Sequence, residues 1–230
     1  MTKRFFAMGF AMGLVCAFSL LLSSCAGVNG PRPQKKFNAV PASTRAADAS
    51  AMTFFRAEGA FSITQTNPDA LPTDKKPRPE IANFRWDQYG PKAYDISITS
   101  PLDLYQLQIL KRLGSITLWK NGTIALTAKT PENIMQKTMG WSLPISNLYY
   151  WVRGIPAPQN PIYYHATYDE YGHLATLTQQ GWTVRYTAYK TINQDDLPQT
   201  FFLDRPGMSV KIVVRYWNQF MTRFPMGEIK

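Results

Sequence analysis

From Phe55 to Tyr216 apolar residues recur mostly with period two. Phe55, Ala57, Gly59, Phe61 and Ile63 alternate with polar or small residues, as do Ala82, Phe84 and Trp86, and then Tyr94, Ile96 and Ile98. Successive side chains of a strand point to opposite faces, so this alternation predicts strands with one apolar and one wet face. Ile116 and Leu118 lead into Asn121-Gly122, followed by Ile124 and Leu126. That is a strong two-residue hairpin signal, because Asn-Gly accepts positive φ at both turn positions. Trp182, Val184 and Tyr186 repeat the pattern, as do Val210, Ile212, Val214 and Tyr216, with short turns at Tyr89-Gly90, Tyr171-Gly172 and Pro206-Gly207. Counting such runs gives about eleven strands. Their order predicts an antiparallel meander, hence one large curved sheet, with the Pro- and Lys-rich segment from Asn67 to Glu80 as a long hairpin loop.

Helical signals interrupt the sheet in the middle of the chain. Thr130 is placed to cap a helix that has Pro131 at its first position and Ile134, Met135 and Met139 on one side. Ser146 is placed to cap a second, through Leu148 and Trp151 to Gly154, with Ile145 and Tyr150 as a hydrophobic staple. An Ala-rich stretch from Ser43 to Met52 predicts a third, with Ser43 as its cap. A sheet with one apolar face needs a cover, and the two central helices are the candidates. Permanent core filling is the competing reading of their Met and aromatic side chains.

The N-terminal segment is of a different kind. Lys3 and Arg4 precede an uncharged run from Phe5 to Leu22, the pattern of a secretory signal. About 18 apolar residues would also just span a bilayer. Leu22-Ser23-Ser24-Cys25 decides between the two, because it resembles the bacterial lipobox, in which cleavage leaves a lipid-bearing cysteine as the first residue. The expected organisation is a lipoprotein signal peptide over 1–24, a lipidated tether over 25–42 and a folded body over 43–230. Cys16 falls in the removed segment and Cys25 carries lipid, so no thiol remains for a disulfide, a metal or nucleophilic catalysis.

Composition narrows the remaining classes. With 45% apolar, 13% aromatic and 17% charged residues, the chain is neither a disordered tail nor a coiled coil. The formal charge of +10 includes two positive charges lost with the signal peptide. A basic face suits anionic lipid headgroups at about 1 kcal/mol per nearby Lys or Arg, and a merely solvated surface accounts for it equally well. Nucleic acid is not a credible partner outside the cytoplasm. The sequence has no His-Glu-x-x-His, no Gly-x-Ser-x-Gly, no phosphate-cradling glycine loop and no dinucleotide fingerprint. His165 and His173 read as surface or edge residues near a turn, and Asp195-Asp196 reads as a loop. An enzyme is disfavoured, and no cofactor or metal is expected.

Beyond the lipobox, Arg56-Ala57-Glu58-Gly59-Ala60-Phe61, Phe84-Arg85-Trp86, Ile98-Thr99-Ser100-Pro101-Leu102, Gly140-Trp141-Ser142-Leu143-Pro144-Ile145, Leu148 to Trp151 and Gly154-Ile155-Pro156 occur in a characteristic order. Together they resemble the LolB family of outer-membrane lipoprotein receptors, over about Phe55 to Trp217. The resemblance implies an incompletely closed, mainly β half-barrel whose apolar concave face is lidded by helices. It also implies a monomer, anchored through Cys25 to the periplasmic face of the outer membrane, that accepts lipoproteins from the soluble carrier LolA and inserts them into the outer membrane. Ala26, not being Asp, then permits outer-membrane sorting. The inward side chains expected to line an acyl-chain cavity are Phe61, Phe84, Trp86, Ile96, Ile98, Ile116, Leu118, Trp182 and Tyr186, with Met135, Met139, Leu148 and Trp151 from the lid.

In that family the leucine of an Asn-Pro-Leu-Gly loop protrudes and helps insert clients into the membrane. Pro101 and Leu102 match it, whereas Ser100 replaces Asn and Asp103 replaces Gly. A leucine folded back onto Tyr105 or the sheet edge is the competing reading. Alternatives to the receptor are a lipoprotein that holds a free lipid, a passive envelope component and, weakest, a lipid-modifying enzyme.

The lipobox and the low-periodicity segment after it generate one prediction. Cys25→Ala is expected to abolish acylation and membrane attachment while leaving the β-rich body folded, because the tether contributes no core residues. Mass spectrometry and membrane fractionation check it; an unacylated wild-type chain that retains its first 24 residues would contradict it.

Overall fold

A computed structural model describes residues 37–66, 77–112, 114–158 and 163–219 of the chain. The expected signal peptide, Cys25, the tether up to residue 36 and most of the 67–80 loop lie outside the described residues, as do the side chains of Asp103 and Met139.

The alternating runs fold into eleven strands: β1 (Phe54–Gln65), β2 (Glu80–Tyr89), β3 (Tyr94–Thr99), β4 (Gln106–Arg112), β5 (Ser115–Lys120), β6 (Thr123–Ala128), β7 (Tyr164–Tyr168), β8 (Leu174–Gln179), β9 (Trp182–Ile192), β10 (Asp195–Arg205) and β11 (Met208–Gln219). They form one antiparallel sheet in the order β6-β5-β4-β3-β2-β1-β11-β10-β9-β8-β7. The expected meander is thus two meanders joined where the first strand pairs with the last. β6 and β7 are left as the two edges, and the sheet does not close. Asn121 and Gly122 turn the β5–β6 hairpin with φ of 49° and 79°.

The central β1–β11 pairing depends on one glycine. The register shifts between Glu58 and Gly59, and a Cβ on Gly59 would lie 1.9 Å from the Val213 carbonyl oxygen. Only a residue without a side chain lets the two backbones approach so closely at this bulge.

Among the described residues, three α-helices accompany the sheet. In α2 (Pro131–Met139) the Thr130 hydroxyl accepts from the Asn133 N–H, Pro131 is the first residue and Gly140 ends the helix in the left-handed conformation. The other two start differently from the sequence reading. α1 (Ala42–Ala51) begins after Pro41, so Ser43 lies inside it and caps nothing. α3 (Ile145–Trp151) begins after Pro144, and the Ser146 N–H donates to Glu132 of α2 at 3.1 Å. A carboxylate from the neighbouring helix thus supplies the acceptor expected of the Ser146 hydroxyl, and Ile145 joins the buried side of the helix instead of stapling it from outside.

Burial follows the predicted alternation across most of the sheet, but in β11 it breaks after Val214, where Tyr216 is exposed and Trp217 buried. Phe55, Ala57, Phe61 and Ile63 of β1, Ile96 and Ile98 of β3, Ile116 and Leu118 of β5, and Val210, Ile212 and Val214 of β11 are all buried in one continuous core with α2 and α3. Each such large side chain contributes about 1.5–3 kcal/mol on burial. The two edges do not join it fully: Ile124 of β6 and Tyr164 and Tyr168 of β7 are exposed.

The packed body begins earlier than residue 43. Phe37 sets its ring edge-on against His173 at 4.7 Å, and the Val40 N–H donates to the Tyr171 carbonyl. From α1, Arg45 donates to the Tyr171 and Asn38 carbonyls and to Asp196. His173 is buried, not superficial, with one ring nitrogen 2.9 Å from Asp169 and the other 3.1 Å from Asp196, and it stacks on Tyr189. Asp196 is correspondingly part of strand β10 and accepts from Thr191 as well. Residue type alone does not separate a loop aspartate from one fixed by partners on three other segments.

Burial opposes ionisation of Asp196, but hydrogen bonds from Thr191 and His173 and the Arg45 guanidinium outweigh it, so its carboxyl titrates below the ordinary value of 3.8. A depressed folded-state pKa contributes stability above the unfolded value, and that contribution is lost as pH falls through the folded value. Asp196→Asn is therefore expected to be less stable than wild type at pH 7, on the order of 1 kcal/mol, with the gap closing as pH falls below the ordinary carboxyl value. Urea unfolding of both proteins as a function of pH measures it.

Candidate functional site

The apolar face of the sheet and the helices above it do not meet completely. Phe61, Phe84, Trp86, Ile96, Ile98, Phe201 and Ile212 from the sheet, with Met135, Leu143, Ile145, Leu148 and Val152 from α2, α3 and the turns beside them, enclose a cavity of about 40 Å³. At roughly 10–15 Å³ per water-sized sphere this is room for about three, and it is lined entirely by apolar residues, which leave water without partners. A dry void of this size is much smaller than a long acyl chain.

The sequence-derived residues divide into two groups. Phe61, Phe84, Trp86, Ile96, Ile98, Met135 and Leu148 line the cavity. Ile116, Leu118, Trp182, Tyr186 and Trp151 are buried in the same core but do not reach it. Alternation identifies the face a residue occupies, not its distance along the sheet, and β5 and β9 lie away from the void. Leu143, Ile145, Val152, Phe201 and Ile212 line it without having been singled out as lining. Ile212 belonged to a recognised alternating run, Leu143 and Ile145 flank Pro144, and the Phe201-Phe202 doublet hides which ring faces inward.

The C-terminal side of the cover is fastened by buried polar groups. The fully buried Trp151 donates its indole N–H to Gln179 at 2.9 Å, and the Tyr186 hydroxyl donates to the Trp151 carbonyl at 2.7 Å. Burial holds the Tyr186 phenol well above its ordinary pKa, so it is a permanent donor. Gln179 also accepts from the Ala157 N–H and donates to its carbonyl. Arg153, buried, donates to the carbonyls of Tyr149, Ala49 and Met52 and lies 4.0 Å over the Tyr149 ring. Its pKa is lowered by burial. α3 is thereby tied both to β8 and to the C-terminal end of α1.

At one end of the sheet the β3–β4 connection forms a short turn, Pro101–Asp103. The Ser100 hydroxyl accepts from the Tyr105 N–H at 2.9 Å, and the Ser100 N–H donates to the Tyr105 carbonyl, closing the loop at its base. Leu102 adopts φ of 64°, which an L-residue reaches only at some cost. Leu102 is 91% exposed and Leu104 78%, so neither folds back onto Tyr105 or the sheet edge.

An unclosed antiparallel half-barrel with a small apolar cavity beneath a helical cover, and a pair of leucines held out at one end, defines the class by its architecture. The chain belongs to the LolB family, because the model of "Outer membrane lipoprotein LolB" matches residues 53–217. Among curated relatives, the outer-membrane lipoprotein LolB of Coxiella burnetii (strain RSA 493 / Nine Mile phase I) is 40% identical over 201 residues, covering 87% of this chain and 89% of its own. That of Chromobacterium violaceum is 32% identical over 205 residues, covering 89% and 97%. Among solved structures, a LolA superfamily protein from Nitrosomonas europaea aligns over 80% of this chain and 96% of its own, with 12% identity and a TM-score of 0.47.

The division between fastened core and cavity lining has a measurable consequence. Trp151→Ala is expected to cost about 3–5 kcal/mol of stability, as a fully packed aromatic does. Phe84→Ala, at a half-buried ring that already borders empty space, is expected to cost less. Equilibrium urea unfolding of the two variants compares them.

Proposed function

We propose that this protein, anchored to the periplasmic face of the outer membrane through lipid on Cys25, receives lipoproteins from the carrier LolA and releases them into that membrane. The observation that carries this reading is the wholly apolar cavity between the sheet and the α2–α3 cover. At about 0.8 kcal/mol per CH₂, a long acyl chain left in water costs on the order of 10 kcal/mol, so it must travel from one apolar shelter to another. With no phosphate-binding loop in the sequence, transfer runs down a gradient of affinity from carrier to cavity to bilayer.

The cavity in its present state is too small for its cargo, and the cover supplies the remaining volume by moving. Met135 and Leu148 present side chains that face the sheet on short helices, and methionine repacks at little cost. Membership of a family of outer-membrane lipoproteins supports both the location and the anchoring by Cys25. The decisive experiment mixes the chain from residue 26 onward with LolA carrying an acylated lipoprotein. Co-purification of the client with this protein supports the reading; retention of a free lipid alone would replace it with a lipid-binding role.

Leu102 and Leu104 act, in this reading, as the part that meets the bilayer, since exposed leucines on a closed, strained turn have no core to serve. Asp103 follows Leu102 in the sequence and limits the depth of insertion, because a carboxylate resists entering hydrocarbon. Leu102→Glu is expected to accept clients from LolA as wild type does but to deliver them more slowly into liposomes. Equal delivery rates, with normal acceptance in both, would remove the role.

A further inference from the structure

A second cavity lies at the same end of the sheet as the Leu102 turn. Glu80 opens β2, Tyr105 and Leu107 stand at the start of β4 and Lys120 closes β5 opposite Leu107; with Thr138 of α2 and Trp141 they surround about 180 Å³. Unlike the dry void, this one mixes charged, hydroxyl and apolar groups. Glu80 and Lys120 are exposed at its rim, whereas Trp141 is buried. Trp141 also packs edge-on against Phe61 at 6.4 Å, and Phe61 lines the dry void. One indole therefore walls the polar cavity while its ring touches a wall of the apolar one.

The indole N–H of Trp141 is buried and meets no acceptor among the described residues. A donor that is neither paired nor hydrated costs about 1–3 kcal/mol. Trp86, Trp151 and Trp217, buried in the same core, each donate to an oxygen. The same burial closes the N–H off from the cavity as it stands, so an acceptor brought in by a ligand removes that cost where the Trp141 side of the wall gives way to it. Lys120 adds further donors at the rim, and Glu80 adds an acceptor.

We propose that this cavity is a subsite for the ester or amide carbonyls at which acyl chains join their polar head, with the Trp141 indole N–H as donor and Lys120 beside it. The inference rests on the acyl-binding reading above and adds to it a polar site that fixes how deep the chains run. The chains enter the apolar void past Phe61, and their carbonyls stop at Trp141. The same chemistry is carried by an acylated lipoprotein and by a membrane phospholipid.

The test compares a dioctanoyl-glyceryl lipopeptide with its dioctyl ether analogue, which has the same chains and no ester carbonyls, by calorimetry below the aggregation limit. Wild type is expected to bind the ester about tenfold more tightly, the effect of one satisfied hydrogen bond. Trp141→Phe should reduce that preference to less than about threefold, and Lys120→Met should reduce it in part. Equal binding of ester and ether by wild type would overturn the subsite and leave the receptor reading intact, whatever the folding of the variants. A preference that survives in Trp141→Phe would overturn it as well, and no binding of either ligand would overturn both. The same Trp141-dependent preference for dioctanoyl phosphatidylglycerol over its ether would support the subsite with phospholipid as its source; a preference confined to the lipopeptide would support it with the client as source.

Discussion

An antiparallel sheet with one apolar face can hide that face by closing on itself or by being covered. Here β6 and β7, the strands that would have to pair, remain the two edges, and the chain between them carries α2 and α3. That segment therefore spans the gap between the edges and covers the face at the same time. Two short helices do not fill a curved eleven-stranded surface as side chains fill a closed barrel, and the residual void between Phe84, Ile98, Met135 and Leu148 is the result.

The cover is not held evenly. Around α3, buried polar groups with fixed partners set the geometry: Trp151 with Gln179, Tyr186 with the Trp151 carbonyl, and Arg153 with carbonyls of α1 and α3. Such groups are costly to separate, since each would leave an unpaired donor or acceptor out of water. α2 shares the Glu132 link with α3, but its inward side, Ile134 and Met135, is held by apolar contact. Apolar contacts exchange for acyl chain with little change in free energy, whereas buried hydrogen bonds do not. The proposed function, which needs a cavity that admits and then releases a hydrocarbon, is suited by that difference.

The exposed leucines and the mixed polar cavity gather at one end of the sheet. The leucines of the Pro101–Asp103 turn, the mixed polar cavity and the Trp141–Phe61 contact all lie where β2 and β4 begin and β3 and β5 end. The opposite flank, where Phe37, Arg45, His173 and Asp196 interlock, holds the start of the folded body against β8 and β10. Burial and pairing on that flank give rigidity, and exposure at the turn gives contact with whatever the protein meets.

Strands, their inward faces and the Asn121-Gly122 hairpin were legible in the sequence because period-two alternation and positive-φ turn residues are local consequences of backbone geometry. The exposed Leu102 was legible for the same reason, through the proline that presets its turn. Which of the inward residues border the void was not. Leu118 looks no different from Ile98 along the chain, yet the first belongs to closed packing and the second to the cavity wall. The caps of α1 and α3, the buried state of His173 and the open N–H of Trp141 were equally hidden, since each depends on residues far away in the chain, such as Glu132 for Ser146 and Asp196 for His173. Local periodicity determines what kind of element forms and which side of it is apolar; only the pairing of β1 with β11 and the span from β6 to β7 decide which apolar residues touch each other and which are left facing a space.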